Sequence, residues 1–174
     1  MFYLVRHGET DYSERNTKIY QGFGVNLAPL SNKGCKQIKN TSKDSRLRNA
    51  DLILSSPYTR ALQTAAIISK KLKTKIVVET DLHEWKANKH YYYENDEQAD
   101  NNYKEFVEFS GVYRDGIEKD WESIEMLRTR FLGVLSRYIK YDKVIVCCHG
   151  VIIQSVCDGY HSRCGEIVEY ELAL

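Results

Sequence analysis

Four short apolar runs, each ending at a residue with chemistry to offer, constrain this 174-residue chain more than any other feature. Phe2 to Val5 stops at Arg6-His7-Gly8-Glu9-Thr10, and Asp51 to Ser55 feeds into Ser56-Pro57. Ile76 to Val78 leads to Asp81-Leu82-His83-Glu84, and Val144 to Cys148 stops at His149-Gly150. Runs of this length and composition predict strands buried on both faces. Helical patterns lie between them. Ser31 is placed to cap a helix with Cys35 and Ile38 on one side and Lys33, Lys36, Lys39 and Lys43 on another, a lysine stripe that reads as a solvated face. Ser56 as N-cap, with Pro57 at the first helical position, predicts a second helix burying Ala61, Ala65, Ile68 and Leu72. Ser123 opens a third, with Ile124, Leu127, Phe131, Leu135 and Tyr138 on one side. A short helix is predicted over 150–157, and residues 167–172 alternate like a half-exposed last strand. Strands alternating with helices predict an α/β domain, three layers deep, with a mostly parallel central sheet and its ligand crevice outside the carboxyl ends of the strands.

The charge balance narrows the ligand. With 25 Lys and Arg against 24 Asp and Glu, the net charge of +1 provides no global field for nucleic acid or an anionic membrane. Neither is expected as a partner. No GxGxxG or GxxxxGK[ST] occurs to cradle a dinucleotide or nucleotide phosphate. Five cysteines, Cys35, Cys147, Cys148, Cys157 and Cys164, show no CxxC spacing and read as reduced thiols. No run is long and apolar enough to span a bilayer, and the first residues lack the pattern of a signal peptide, so the expectation is a cytoplasmic chain. Histidine and cysteine spacings suggest no metal site, and no cofactor is expected. Oligomeric state is not readable. The chain is expected to be one domain over 1–174, with a tyrosine-rich, acidic excursion at about 85–120 that reads as local packing and loop, or as a lid holding Trp85 and Tyr91 to Tyr93.

A local positive site is a different matter. In a parallel sheet, Arg6, His7, Arg60, Glu84 and His149 can converge from separate strand ends. Two guanidinium groups and two imidazoles suit a small dianion such as a phosphoryl group, because a guanidinium grips phosphate oxygens bidentately. Glu9 and Glu84 could supply a proton, as could Asp81.

The residues that carry this pattern resemble the histidine phosphatase superfamily, also called phosphoglycerate mutase-like. Leu4 to Thr10 is similar to its opening signature, Pro29-Leu30-Ser31 through Gly34 to its first helix start, and Ser55-Ser56-Pro57 through Arg60-Ala61 to its second-arginine helix. Leu82 to Glu84 resembles its acid segment, Glu122-Ser123 with Arg130 its later helix, and His149-Gly150 its second histidine. The resemblance implies a phosphatase, phosphoglycerate mutase-like in fold and independent of metal. It would act on a small phosphorylated substrate through a phosphohistidine on His7. It further implies that Arg6, Arg60 and His149 bind the phosphoryl group and that Glu84 is the proton donor. Gly8 would let backbone approach the anion.

There are departures. Ser13 stands where the family usually has a phosphate-binding asparagine and is the candidate for that contact, directly or through water; Trp85-Lys86-Ala87 follows the acid, and Val151 and Gln154 follow the second histidine where glycine and arginine are common. Arg15, Lys18, Lys86 and Lys89 are all candidates for a second anionic group of the substrate. A phosphoglycerate mutase is the alternative enzyme, disfavoured because such members generally carry larger insertions. A weakly catalytic module that binds a phosphorylated ligand is the other.

Overall fold

The computed structural model describes residues 1–16, 24–92 and 95–172. The chain opens on β1 (Phe2–Arg6), passes through a four-residue turn of helix, α1 (Gly24–Leu27), and enters α2 (Asn32–Thr41). β2 (Leu52–Ser55), α3 (Thr59–Leu72) and β3 (Ile76–Val78) follow, then α4 (Asp96–Glu108), α5 (Ile124–Ser136), β4 (Val144–Cys148), α6 (Gly150–Val156) and β5 (Ile167–Tyr170). The strands form one sheet in the order β3-β2-β4-β1-β5. All pairings are parallel except that between β1 and the edge strand β5.

The strict two-residue period of a strand explains the layers. Leu4, Leu52, Leu54, Val144, Val146 and Cys148 face a cluster that contains Leu127, Phe131 and Leu135 of α5 and Ile152 and Ile153 of α6. Their neighbours Val5, Ile53, Ile145 and Cys147 face the other way, onto Ile38 of α2 and Ala65 and Ile68 of α3. The adjacent cysteines Cys147 and Cys148 thus enter opposite layers. Both are fully buried, and burial pushes both thiols up, which suits packing rather than redox chemistry.

Capping agrees with the sequence at two helices. The Ser31 hydroxyl accepts from Gly34 N–H at 3.0 Å, and Ser123 accepts from Met126 N–H at 3.3 Å. Lys33, Lys36, Lys39 and Lys43 are solvent-exposed, as a solvated face requires. The third predicted cap is different. Helix α3 begins after Tyr58 rather than after Ser56, because Ser56 N–H donates to Cys147 O at 3.0 Å and prolongs the β2 to β4 ladder past the end of β2. Its hydroxyl is thereby released for another partner.

The segment from 85 to 120 contains α4, which the weak periodicity does not predict. Asn95 closes a reciprocal capping box with Gln98. Phe106 is the buried anchor of this helix, meeting the fully buried Trp121 edge-on at 5.5 Å between ring centroids, while Trp121 Nε1 donates to Glu105 at 2.7 Å. Tyr91 and Tyr92 are exposed, and Tyr93 and Glu94 lie outside the described residues. Among the described residues no helix is long and apolar enough to cross a membrane.

Candidate active site

Each of the five central candidates leaves the carboxyl end of a parallel strand. His7 directly follows β1, and His7 N–H donates to Cys148 O at 3.0 Å, tying the two histidine-bearing strand ends together. The rings of His7 and His149 meet edge-on at 5.1 Å. Both are buried.

Hydrogen bonds select the tautomer of His7. Its Nδ1 lies 2.8 Å from Gly8 O, and a carbonyl can only accept, so Nδ1 carries the proton. Nε2 is left with its lone pair, and Arg60 Nε–H donates to it at 3.2 Å. Burial, then the Arg60 guanidinium, lowers the pKa of His7 to about 3, with Arg6 adding to the effect against the Gly8 bond. The ring is therefore neutral at physiological pH. Arg60 is itself anchored, with Nη1 donating to Val25 O at 2.7 Å.

His149 uses the hydroxyl that the α3 cap leaves free: its Nε2 lies 2.7 Å from Ser56 Oγ. Its Nδ1 is buried without a partner. Burial, then Arg60 and His7, holds the imidazole well below its ordinary range. Arg6 completes the cationic wall. Its guanidinium donates to Ser162 O, while its Nε is also buried and unpartnered. A Cβ on Gly150 would come 3.2 Å from Arg6 Cζ, so glycine after the second histidine makes room for this arginine. Arg6 Nε and His149 Nδ1 are thus two buried nitrogens with hydrogen-bonding capacity to spare.

Glu84 enters from beyond β3. Its Oε1 accepts from Trp85 N–H at 2.9 Å and its Oε2 more weakly from Val151 N–H at 3.4 Å. Burial nonetheless pushes the carboxyl up, against these bonds and the Arg60 and Arg130 charges. The rival acids are differently placed. Glu9 accepts from Ser31 Oγ at 2.9 Å and Lys33 Nζ at 2.6 Å, which hold it below the usual carboxylate range, and Asp81 is exposed.

Two sequence expectations change. The absent side chain of Gly8 makes room for α2 rather than for a ligand: a Cβ there would lie 2.7 Å from Gly34 O, and Gly8 N–H donates to Thr64 Oγ1 at 3.3 Å. Ser13 is exposed in a turn, its N–H donating to Asp11 Oδ1 at 2.9 Å, and no hydrogen bond joins it to His7, Arg60 or His149.

Several residues support the site in ways the sequence did not assign. Ser56 read only as a cap. Tyr58, nearly buried, touches His149 edge-on at 5.3 Å and lies beneath Arg60, whose Cζ is 5.0 Å from the ring centroid. Glu122 and Arg130 form a mostly buried bidentate pair at 2.6 and 3.0 Å. Arg130 also donates to Asp81 O and, at 2.8 Å, to His83 O, which fixes the backbone that presents Glu84. Glu122 stands just before the Ser123 cap and Arg130 lies inside α5, so the pair bridges the loop and the helix. His83 is buried and donates through Nδ1 to Glu84 O at 2.7 Å. His161 is exposed beside Gln154, and His90 is exposed. Among the described residues no three His, Cys, Asp or Glu side chains converge on a metal position.

A mostly parallel α/β sheet with two arginines, two neutral histidines and a partly buried carboxyl at its carboxyl edge is an arrangement suited to small phosphorylated anions. The chain belongs to the histidine phosphatase superfamily, branch 1, whose family pattern matches residues 2–163. It is 39% identical over 83 residues to a Hydrogenobacter thermophilus protein named as a candidate phosphoserine phosphatase 2, a match covering 47% of this chain and 38% of that protein. It is 29% identical over 156 residues to the uncharacterized phosphatase PhoE of Bacillus subtilis, covering 88% and 73% respectively. Among solved structures, a mycobacterial glucosyl-3-phosphoglycerate phosphatase superposes with a TM-score of 0.66 at 22% identity, over 88% of this chain and 76% of that one. Bacillus stearothermophilus YhfR gives 0.67 at 22% identity, over 89% and 76%.

Proposed function

We propose that this chain is a phosphoric monoester hydrolase that works without a metal, through a phosphohistidine on Nε2 of His7. The observation that carries the reading is the tautomer: Gly8 O holds the Nδ1 proton, so the nitrogen facing Arg60 has a free electron pair at neutral pH. Nε2 attacks phosphorus and the bond to the leaving oxygen breaks. Glu84, whose raised pKa favours the protonated form, gives that oxygen its proton. In the second step water attacks phosphorus, the P–N bond breaks, and the Glu84 carboxylate takes the proton from the water. Inorganic phosphate leaves and His7 is restored.

Arg6, Arg60 and His149 neutralise the charge on the transferring group. Their positions before substrate arrives mean that little reorganisation is needed at the transition state. Arg60 has a double part: without ligand it shares Nε–H with His7, and with a phosphoryl group present the same donor can turn to an oxygen. Ser13 is given no part in this scheme. The relatives named as phosphatases support the same reaction class.

Hydrolysis of a panel of phosphomonoesters with EDTA present, for the wild type and His7→Ala, tests the reading. Turnover by the wild type and its loss in the variant are expected. Activity abolished by EDTA would overturn the metal-free mechanism, and interconversion of phosphoglycerates with little phosphate release would indicate a mutase. Ligand binding without turnover of any ester would leave only a phospho-ligand module.

A further inference from the structure

The four cations considered for a second anionic group of the substrate have separate fates. Lys18 lies outside the described residues. Lys89 Nζ sits 2.7 Å from Glu118 and also donates to Lys119 O, and Arg15 is 3.3 Å from Asp96. Lys86 alone of the three described has no carboxylate within ion-pair distance among the described residues, although it is partly buried and next to Glu122 through its backbone.

Its surroundings are built rather than incidental. Lys86 N–H donates to Glu122 Oε2 at 3.2 Å and Lys86 O accepts from Glu122 N–H at 3.0 Å, so the stem departs from a pinned backbone. The ammonium rests 5.3 Å from the ring centroids of both Tyr58 and Tyr91. Two aromatic faces hold a cation in place yet leave its N–H donors unsatisfied by any anion. Tyr58 is the same ring that touches His149 and underlies Arg60. Lys86 therefore stands one aromatic ring from His149 and Arg60, two residues along the chain from Glu84.

We propose that Lys86 forms a second anion subsite, selecting phosphomonoesters whose leaving group carries a further negative charge, a carboxylate or a second phosphate. This rests on the hydrolase reading above, because it assigns the leaving-group side of that same site. Burial holds the Lys86 ammonium below the ordinary lysine range, with Arg130 and Arg60 contributing and Glu122 opposing. An incoming anion would relieve that penalty. His83 is a further titratable group near this position, stacked on Tyr58 at 6.3 Å. His83 is neutral at physiological pH, its pKa lowered to about 4 mainly by burial. Lys86 is thus the positive charge of the leaving-group wall that has no carboxylate at ion-pair distance among the described residues.

Matched esters give the test: phosphoserine and a bisphosphorylated short polyol, each against phosphoethanolamine or glycerol phosphate, with wild type, Lys86→Met and Lys86→Arg. The ratio of kcat/KM for the doubly anionic ester to that for its partner should fall by about 10- to 100-fold in Lys86→Met, the scale of one charge-assisted contact, and be largely kept in Lys86→Arg. Whichever doubly anionic ester shows the larger ratio in the wild type identifies the group read. An unchanged ratio in Lys86→Met would overturn the subsite even if both rates drop. Calorimetric affinities of the same esters for His7→Ala and His7→Ala/Lys86→Met separate this from the chemistry. If no ester is turned over but the affinity ratio still falls with Lys86, the hydrolase reading fails and the subsite stands. If esters are hydrolysed and neither ratio moves, the reverse holds.

Discussion

Arg60 ties the candidate nucleophile to the surrounding loop and ring. Its guanidinium reaches His7 Nε2, the Val25 carbonyl and the face of Tyr58. Arg60→Ala should lower kcat by about 10²- to 10³-fold, as removal of one preorganised donor does. Steady-state kinetics on a fixed ester checks this, and a near-wild-type rate would remove Arg60 from the mechanism. Glu84→Gln should cost about 10²- to 10⁴-fold on an alkyl phosphate and far less on a nitrophenyl ester, whose leaving group needs no proton. Equal losses on both would exclude an acid role. Residue identity alone does not select Glu84 over Glu9 or Asp81 for the proposed proton-donor role. All three are carboxylates near strand ends, and they are told apart by surroundings: Lys33 and Ser31 for Glu9, solvent for Asp81, burial for Glu84. Burial is a property of packing, so it has no signature at a single position.

At the scale of elements, the site depends on how α5 grips the turn after β3. The Glu122 to Arg130 pair spans the start of that helix, and Arg130 ties down the carbonyls of Asp81 and His83. Removing one partner of a mostly buried pair leaves the other charge uncompensated. Arg130→Met should therefore destabilise the fold by about 3 kcal/mol or more, read by urea unfolding. It should also depress activity on alkyl phosphates more than on nitrophenyl esters, because Glu84 loses its support. Unchanged stability with full activity would show that the clamp is dispensable. Most of the elements were legible beforehand. β4 matches its apolar run residue for residue, and α5 its periodicity. Helix α4 was not, because its burial rests mainly on Phe106 against Trp121 rather than on a repeating apolar stripe. The late start of α3 was missed because serine caps a helix and bonds a histidine with the same hydroxyl, and only the neighbouring strand decides between them.

For the whole molecule, the buried histidines make stability depend on pH. His7 has a folded pKa of about 3 against an ordinary 6.5, and His83 about 4, with His149 shifted in the same direction. The unfolded chain therefore binds more protons than the native one between these values, so stability rises with pH across that window. Above about pH 6.5 the contribution is fully present, and it is lost as pH falls toward the folded values. Each such histidine adds up to about 1.4 kcal/mol per pH unit to the slope. Glu84, raised in the folded state, works in the opposite sense near its own range. Chemical denaturation from pH 7.5 to 4.5 should show a steep loss for the wild type and a shallower one for His83→Asn. Equal slopes would contradict the neutral burial of His83. Sequence alone determined the architecture and offered Arg6, His7, Arg60 and His149 as candidates, because strand period, helix period and the polar ends of apolar runs are local facts written in residue order. Only tertiary structure decided which carboxyl is buried, which histidine nitrogen is free and which lysine faces the site without an anionic partner. Those properties arise from desolvation and from hydrogen bonds that close only in the folded chain, such as Ser56 with His149 and Arg60 with His7.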